Sequence, residues 1–487
     1  MLGALMLCIS LVALDATGIA GAVPSMVGDL GGFWQFPWLF SAYLLTSAVT
    51  VPIYGKLADL FGRRSVLYFG IGVFLLGSVL CGLAWNMPVL IVSRAVQGIG
   101  AGAVLPISMT VLGDLYDLKE RAAVQGYLSS VWGVAAVIGP AVGGSLSQYL
   151  SWRLIFLINV PVGALALWML ARHLHERITP QRRRIDYTGA ALLTTGCSLV
   201  ILGLLQGGVA WSWRSTPSIA VLASGAALLV AFVLFERRSP APILPLWVFT
   251  RRSLAGGNLS GLIVGVMLMG LTSYVPVYVQ GVLGHGAIMA GVALGGMSIG
   301  WPLSSSLSGH LYLRIGFRGT TLIGSVLVFG GALMAALLGQ DTGVWAMGAA
   351  SLTAGVGLGL VATCALVSVQ SAVGWADRGV VTASNMFCRS LGSAVGIAVF
   401  GAVANATLMD RLSRMPPGLN LPSTLSAAGD TLLSRPELRG SAAGAFVEKA
   451  LYAAVHDVFV GLVIASAIGL AVALLIPRRI PRPREVP

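Results

Sequence analysis

The sequence predicts an all-α integral membrane protein, and two observations carry that prediction. Of the 487 residues, 56% are hydrophobic and only 10% are charged, whereas a soluble domain needs roughly a quarter of its residues charged to cover its surface. The second observation is a series of apolar runs, each with the roughly 18 or more residues that a membrane-spanning helix requires. We therefore interpret the whole chain as one polytopic membrane protein.

We count fourteen apolar runs along the chain. The first begins almost at Met1 with no basic segment before it, so we expect a retained span and not a cleaved signal peptide. The 63 glycines suit close helix packing in lipid, where small residues let backbones approach. The predicted spans are 2–26, 36–57, 65–85, 88–112, 121–149, 152–172, 187–209, 216–236, 254–279, 288–312, 319–339, 344–370, 380–409 and 454–476.

Basic residues predict the orientation of these spans, because Lys and Arg are retained in cytoplasmic loops. With the N-terminus inside, 21 of the 30 Lys and Arg fall in cytoplasmic segments, 7 fall outside and 2 fall within spans. We therefore expect a cell-membrane protein with both termini cytoplasmic. The same cytoplasmic Lys and Arg account for the net charge of +13. The sequence has no basic stripe interleaved with aromatic residues, so it does not indicate a nucleic-acid partner.

A repeated segment divides the chain. Residues 55–64 read GKLADLFGRR and residues 309–318 read GHLYLRIGFR, each with two glycines seven apart and a terminal Arg. Each copy follows the second span of its half if the seventh and eighth spans are an insertion, as expected for a duplicated transporter-like chain. We predict an N-terminal six-helix bundle (1–172), two inserted helices (173–253) and a C-terminal six-helix bundle (254–487) with a long outer loop near 410–450.

Several kinds of chemistry have no signature in this sequence. The five cysteines all lie in apolar runs without metal-ligand spacing, so we expect no disulfide and no metal. A Walker Gly-Lys-Ser/Thr and a GxGxxG opening a soluble domain are also absent. The sequence therefore argues against an ATP-driven pump. It also lacks the clustered His or Asp at a membrane face that a polytopic membrane enzyme would need.

Asp15 and Arg94 are the ionisable residues that we place near the middle of the first and fourth spans. An intramembrane charge is costly and indicates function by default. At about 1.5 Å of rise per residue in a core about 30 Å thick, both residues fall close to mid-depth. The two side chains can pair if their helices are neighbours. Asp15 is then either the carrier of an exchanged proton or half of a structural ion pair.

Arg389 lies at a similar depth in the thirteenth span. We find no carboxylate on the helices of the second half at its level. Three interpretations stay open: the side chain extends toward the membrane surface, pairs with Asp15 across a cavity, or meets an anionic group of a substrate.

Two further motifs indicate moving parts. Asp59 and Arg63 are four residues apart, which supports an ion pair if the segment is helical, and the flanking Gly55 and Gly62 favour a gate. Gly139 and Pro140 interrupt the fifth span, and Gly143 and Gly144 follow, so that this helix can bend and pack closely.

Polar and aromatic residues within spans are candidates for the wall of a substrate cavity. Trp and Tyr near span ends more often mark the membrane interface, so we select those placed deeper, together with two polar residues. The candidates are Tyr43, Gln97, Trp132, Tyr274, Tyr278, Phe387 and Arg389.

Together these motifs resemble the fourteen-span drug:proton antiporters of the major facilitator superfamily. Residues 55–64 look like that superfamily's loop signature between its second and third spans. Residues 14–17 with Pro24, the segment 94–100 and the glycines of the fifth span are similar to motifs of this branch, as are Trp152 to Phe156 and Asn159 to Pro161. The likeness covers essentially the whole chain.

The resemblance implies a major facilitator fold of two six-helix bundles plus two helices, alternating access, and export driven by inward proton flow. It implies proton coupling at Asp15 and Arg94, gating by Gly55, Asp59, Gly62, Arg63 and Arg64, and an antiport helix at Gly139, Pro140, Gly143 and Gly144. The expected substrate is a hydrophobic or amphipathic drug or toxic molecule. No cofactor is expected, and the partners are the lipid bilayer and that substrate, with the protein a monomer.

Rival functions remain open at this point. One is export of a lipid or a hydrophobic natural product on the same fold. Others are a polytopic membrane enzyme and a sensor that no longer transports. The second half lacks the intramembrane carboxylates that some cation exporters carry, which weakens a preference for cations.

Overall fold

The structure of the protein is a computed structural model that describes residues 1–19, 22–30, 35, 37–174, 186–207, 211–239, 242–340, 342–414 and 442–477. Within these residues the chain forms helices and no β-sheet, as expected for an all-α membrane protein. The helices are α1 Leu2–Gly18, α2 Val23–Leu30, α3 Pro37–Phe61, α4 Arg63–Gly82, α5 Met87–Leu115, α6 Leu118–Tyr149, α7 Arg153–Leu157, α8 Asn159–His173, α9 Tyr187–Gln206, α10 Thr216–Glu236, α11 Trp247–Thr250, α12 Arg252–Val277, α13 Ala287–Leu337, α14 Val344–Ser371, α15 Arg378–Ser413 and α16 Ala442–Ala473.

Capping residues fix where several helices begin. The Asn86 side chain accepts a hydrogen bond from the Val89 backbone N–H at 2.9 Å, with Pro88 in the first turn of α5. The Asp186 side chain accepts from the Gly189 N–H at 2.8 Å at the start of α9. Such caps satisfy N–H groups that a helix cannot bond internally.

Eleven helices of the described residues are long and apolar enough to cross a membrane. The longest, Ile288–Leu337, contains two helices that meet at Gly316. The apolar α1, with 17 residues, is not among the eleven and lies at the lower limit of the length that spans a membrane. A multi-pass membrane protein is therefore confirmed, and the number of fourteen crossings stays a prediction.

Some predicted boundaries are wrong. The first span was expected to be one helix over 2–26, but α1 ends at Gly18 and the short α2 follows, because the sequence there contains glycines and Pro24, which disfavour a continuous helix. The last helix begins at Ala442, twelve residues before the predicted span. Most of the predicted outer loop 410–450 lies outside the described residues, as do the basic residues of 175–185 and 478–487.

The repeated segment is mostly helix and not a loop, which corrects that interpretation. Residues 55–61 are the last turns of α3, and Arg63 and Arg64 already belong to α4. The chain reverses at Gly62, whose φ is 89°. Gly316 occupies the corresponding place in the second copy with φ 78°. Because a residue with a side chain rarely adopts such angles, the second glycine of each copy makes a one-residue turn possible.

The helices up to α8 pack together, and so do those from α12 onward; we call these sets the N-terminal half and the C-terminal half. They meet where α3 and α5 contact α15 and where α6 contacts α13. Helix α9 packs on α10 and also contacts α3 and α15, while α10 is mostly exposed. The inserted pair thus lies against the seam between the halves through α9. The exact division into domains stays a prediction.

Candidate functional site

Asp15 is buried in the N-terminal half, with 1% of its surface exposed. One carboxylate oxygen, Oδ2, accepts a hydrogen bond from Arg94 Nη1 at 2.6 Å. The other, Oδ1, accepts from Gln97 Nε2 at 2.8 Å and from Asn159 Nδ2 at 3.1 Å. All three partners are donors, which suits an ionised carboxylate because that group only accepts. The contact that the depth argument allowed is present.

Arg94 is as deeply buried as Asp15 and is held from several directions. Its Nη1 also donates to Gln97 Oε1 at 2.5 Å, and its Nε donates to the Leu39 carbonyl at 3.3 Å. The guanidinium lies 4.1 Å from the centre of the Tyr43 ring, a cation–π geometry. These contacts fix the guanidinium beside the carboxylate.

Sequence reasoning did not place Ser78 or Asn159 in this site. Ser78 Oγ accepts from Gln97 Nε2 at 2.8 Å and from Asn159 Nδ2 at 3.3 Å. Both residues are almost fully buried, and they come from α4 and α8. The signal available was a polar residue inside an apolar run, which Asn159 in particular provides. We call Asp15, Ser78, Arg94, Gln97 and Asn159 the buried charge cluster.

Helices α1 and α6 approach closely beside this cluster. Thr17 Oγ1 donates to the Ala135 carbonyl at 2.9 Å. A Cβ at Gly139 would lie 2.0 Å from Thr17 Oγ1, and one at Gly143 would lie 2.0 Å from the Gly18 carbonyl oxygen. No atom lies within 4 Å of the corresponding point at Gly144. The close approach therefore depends on Gly139 and Gly143.

The predicted antiport helix is continuous. Helix α6 runs through Pro140 from Leu118 to Tyr149, so the expected interruption of the span is not a break in the helix. The side chain of Pro140 lies outside the described residues.

A second polar cluster joins the two halves at the predicted cytoplasmic end. The carboxylate of Asp59, at the end of α3, accepts from the backbone N–H groups of Gly379 and Val380 at 3.0 and 2.8 Å. These N–H groups open α15, so the carboxylate binds a helix N-terminus, where anions are stabilised. Asp59 also pairs with Arg63 at 2.9 Å. That pair spans the turn at Gly62 instead of lying on one helix.

Arg63 and Asp114 extend this cluster. Arg63 Nε lies 3.1 Å from Asp114 Oδ2, and Arg378 Nη1 lies 2.9 Å from Asp114 Oδ1. Arg63 Nη2 donates to the Trp375 carbonyl at 2.7 Å, and the guanidinium lies 3.9 Å from the centre of that ring. We call Asp59, Arg63, Asp114, Trp375 and Arg378 the inner latch. Sequence reasoning missed Asp114, Trp375 and the role of Arg378.

Two other residues of the repeated segment lie beside the inner latch. A Cβ added at Gly55 would lie 2.3 Å from the Ala383 Cβ. Helices α3 and α15 can therefore approach each other this closely only because residue 55 has no side chain. The Arg64 guanidinium lies 5.5 Å from the centre of the Tyr68 ring, on its own helix.

Four of the predicted cavity residues are instead packed inside the protein. Gln97 belongs to the buried charge cluster, and Tyr43 covers Arg94 with 5% of its surface exposed. Tyr278 is 1% exposed and its hydroxyl donates to the Gly339 carbonyl at 2.7 Å. Phe387 lies in the core cluster that includes α3. Neighbouring helices cover all four side chains in this structure, and their role in a substrate cavity stays a prediction.

The remaining cavity candidates, Trp132, Tyr274 and Arg389, are half-buried. Trp132 packs at the edge of the N-terminal core and Tyr274 at the edge of the C-terminal core. Among the residues that the structure describes, no group of three His, Cys, Asp or Glu is arranged to hold a metal ion.

The protein has two sets of membrane helices, which the inner latch joins at one end, and a buried ion pair lies inside the first set. This arrangement is that of a multi-pass membrane transporter. Comparison with known proteins gives its family. The model of the Major Facilitator Superfamily matches residues 5–177 and 174–397. The chain belongs to the major facilitator superfamily, and it is a transporter and not an enzyme.

Relatives in this family carry efflux names. The chain is similar to the multidrug transporter protein MdtP of Bacillus subtilis, with 38% identity over 81% of this chain and 73% of the relative. It is 33% identical to multidrug resistance protein 3 of the same organism, over 84% of this chain and 80% of that protein. It is 32% identical to the efflux pump dotC of Dothistroma septosporum, over 88% and 75%.

Solved structures share the fold. The human organic anion transporter MFSD10 superposes with a TM-score of 0.62 at 14% identity, covering 96% of this chain and 98% of that one. The proton:xylose symporter XylE gives a TM-score of 0.62 at 13% identity, covering 99% and 95%. At these identities the likeness shows the fold alone.

Proposed function

We propose that this protein is a secondary exporter in the cell membrane that exchanges inward-moving protons for amphipathic drugs or toxic small molecules by alternating access. In this proposal both termini are cytoplasmic, and the energy comes from the proton gradient without a bound cofactor. The observation that carries it is Asp15, a buried carboxylate held by an Arg and two amides.

Asp15 is suited to proton exchange because its partners discriminate between its two protonation states. The ionised carboxylate accepts hydrogen bonds from Arg94, Gln97 and Asn159. A protonated acid has no charge to attract Arg94 and places a proton where one donor now points. Proton binding must therefore rearrange the cluster. Thr17 and Gly18, near Asp15 on α1, contact α6, so that rearrangement reaches the helix that meets α13 of the other half.

The inner latch supports the alternating-access part of the proposal. Asp59 and Arg63 belong to the N-terminal half, and the groups that they bind at residues 375–380 belong to the C-terminal half. An opening toward the predicted cytoplasmic side must separate these charges. The latch then holds the protein closed on that side until substrate or proton binding stabilises the other state more strongly, since a ligand shifts an equilibrium only through differential affinity.

The substrate class in this proposal follows the names of the relatives, two of which are multidrug proteins and one an efflux pump. The predicted orientation follows the distribution of basic residues.

The first test is Asp15→Asn in proteoliposomes with an acidic lumen. Two fluorescent probes with the same aromatic body serve as substrates: N-phenyl-1-naphthylamine and 8-anilinonaphthalene-1-sulfonate. We expect the wild-type protein to accumulate probe as protons leave the lumen. Asp15→Asn should abolish accumulation yet retain downhill exchange, because the amide is neutral like the protonated acid. Asp410→Asn, which alters an exposed pair with Arg414, is the matched control.

Accumulation by Asp15→Asn at the wild-type level would make Asp15 a structural residue and end the proton-coupling proposal. If the wild-type protein accumulates neither probe, amphipathic export of this kind is also wrong.

The second test concerns the inner latch. Asp59→Asn removes the charge that binds the α15 N-terminus and Arg63. We expect transport to fall by at least about tenfold, the effect of roughly 1.4 kcal/mol on one conformational state, while the protein remains folded. Flux is measured in the same proteoliposomes, and hydrogen–deuterium exchange of the Gly379 and Val380 backbone N–H groups, which donate to Asp59, reports closure. Wild-type flux with unchanged exchange at these two groups would refute the gating role.

A further inference from the structure

Arg389 is a cation within a long apolar helix for which the described residues supply no partner. It lies eleven residues into α15, about 17 Å along the helix at 1.5 Å per residue, hence deep within a hydrocarbon core about 30 Å thick. Among the described residues its guanidinium forms no hydrogen bond, ion pair or aromatic contact, and it is half-buried. Arginine keeps its charge in proteins, so this charge is available to something outside the chain.

Two covered faces of α15 define the environment of Arg389. Ala383, with Phe387 and Ala394 beside it in the same core, faces α3 of the N-terminal half. Asn385 and Gly392 face α12. Between these two faces lie two further strips of α15, one on each side, which are less completely covered around Arg389.

The two strips differ in chemistry. One is apolar and carries Leu391 and Val395, which are half-buried, and Val399, which is exposed. The opposite strip is half-buried and carries Arg389, Ser390, Ser393 and Ile397. The only polar strip of α15 at this depth therefore lies between the contact with α3 and the contact with α12, where the two halves meet.

No carboxylate of the described residues is placed to neutralise Arg389. Asp15, the deep one, already uses both oxygens on Arg94, Gln97 and Asn159. Asp457 lies in the middle of α16, but it accepts a hydrogen bond from Thr407, which is 18 residues beyond Arg389 along α15. Pairing between Asp15 and Arg389 is therefore not what the structure shows.

We propose that Arg389 binds the anionic group of the exported molecule, and that the substrates are amphipathic organic anions such as sulfonates and carboxylates. This inference rests on the proposed exporter function and narrows it. The guanidinium offers a planar pair of donors that matches such groups. The Ser390 hydroxyl, which forms no hydrogen bond within the described residues, lies beside it as a further donor, and Ile397 on the same strip offers apolar contact to the body of the molecule.

The test compares the two probes used above, because 8-anilinonaphthalene-1-sulfonate is N-phenyl-1-naphthylamine with one added sulfonate. Binding is measured by fluorescence titration, without any pH gradient, in phosphatidylcholine nanodiscs holding the full chain. We expect the wild-type protein to prefer the sulfonate by about 10- to 100-fold, the range of a charge-assisted hydrogen-bonded pair. Arg389→Gln should remove that preference and Arg389→Lys should retain most of it. Arg414→Gln, at an exposed outer arginine, should bind as the wild-type protein does.

Equal binding of the two probes by the wild-type protein, binding of neither, or an unchanged preference in Arg389→Gln would overturn the inference. An anionic lipid headgroup carries the same chemistry, so the titration is repeated with phosphatidylglycerol in the nanodisc. A preference that persists there supports a soluble anion, and its loss identifies lipid as the partner and overturns the proposal. Arg389-dependent binding together with absent proton-driven accumulation would refute the exporter proposal while leaving the anion site intact.

Discussion

Two arginines within long apolar helices of this protein, Arg94 in α5 and Arg389 in α15, occupy opposite environments. Arg94 in the N-terminal half is 1% exposed and bonded to Asp15, Gln97 and a backbone carbonyl, with the Tyr43 ring alongside. Arg389 in the C-terminal half is half-buried and has no partner among the described residues. A charge in the membrane is stabilised either by partners built into the protein or by molecules that arrive. Arg94 thus belongs to the proposed proton-coupling site and Arg389 to the proposed anion-binding site.

The difference extends to the halves that hold them. In the N-terminal half, polar side chains from α1, α4, α5 and α8 converge on one carboxylate. In the C-terminal half, buried amides such as Asn258 and Asn385 bond neighbouring helices to one another, through Ser384 and the Gly257 carbonyl. Among the described residues, a buried ion pair therefore lies within the N-terminal half, whereas the ion pairs within the C-terminal half are exposed.

The largest expected effect comes from removing each arginine. Arg94→Ala leaves the Asp15 charge buried without its partner, which costs about 3–5 kcal/mol for a buried pair. We expect a correspondingly large loss of stability in a denaturant or thermal unfolding measurement in detergent. Arg389→Ala breaks no described contact and should change stability by less than about 1 kcal/mol. Equal losses in the two variants would show that Arg389 has an internal partner, which would remove the contrast.

An intermediate effect is expected when each arginine is replaced by lysine. Arg94 uses Nη1, Nε and its flat face, and an ammonium cannot reproduce that geometry. We expect Arg94→Lys to lower proton-driven accumulation of probe by about tenfold, corresponding to roughly 1.4 kcal/mol. Arg389→Lys keeps a cation beside the incoming molecule and should lower it by no more than about threefold. A larger loss in Arg389→Lys than in Arg94→Lys would reverse the proposed roles.

The smallest expected effect concerns an amide of each half. Asn159→Ala removes one of three donors to the Asp15 carboxylate, and because Arg94 and Gln97 still donate to it, we expect a cost of about 1 kcal/mol. Its neutral counterpart is Asn258→Ala, which removes hydrogen bonds to the Val248 carbonyl and to Ser384 and should also cost about 1 kcal/mol. We expect only Asn159→Ala to change the number of protons exchanged per probe, measured by pH-dye flux alongside probe uptake. A change in both variants would mean that coupling is not confined to the N-terminal half.

Much of the architecture could be predicted from the sequence because lipid permits few solutions. Backbone groups must bond internally in hydrocarbon, so long apolar runs become helices. The glycines of the repeated segment were visible as a pattern, and Gly62 and Gly316 are indeed the turn positions. Asp15 and Arg94 were identifiable because charges in apolar runs are rare. The predicted gating loop over residues 55–64 was too long, because Asp59 lies at the end of α3, and Arg63 and Arg64 lie at the start of α4.

The sequence by itself thus determined the class of fold, the helices and the unusual charged residues within them, since composition and hydrophobic length act locally along the chain. Only the tertiary structure decided which polar residues meet. Ser78 and Asn159 join Asp15, Asp114 and Trp375 join Arg63, and Tyr278 and Phe387 are buried. Helix neighbours and rotations set these contacts, and they depend on packing between segments far apart in the chain. The same packing leaves Arg389 without a partner among the described residues.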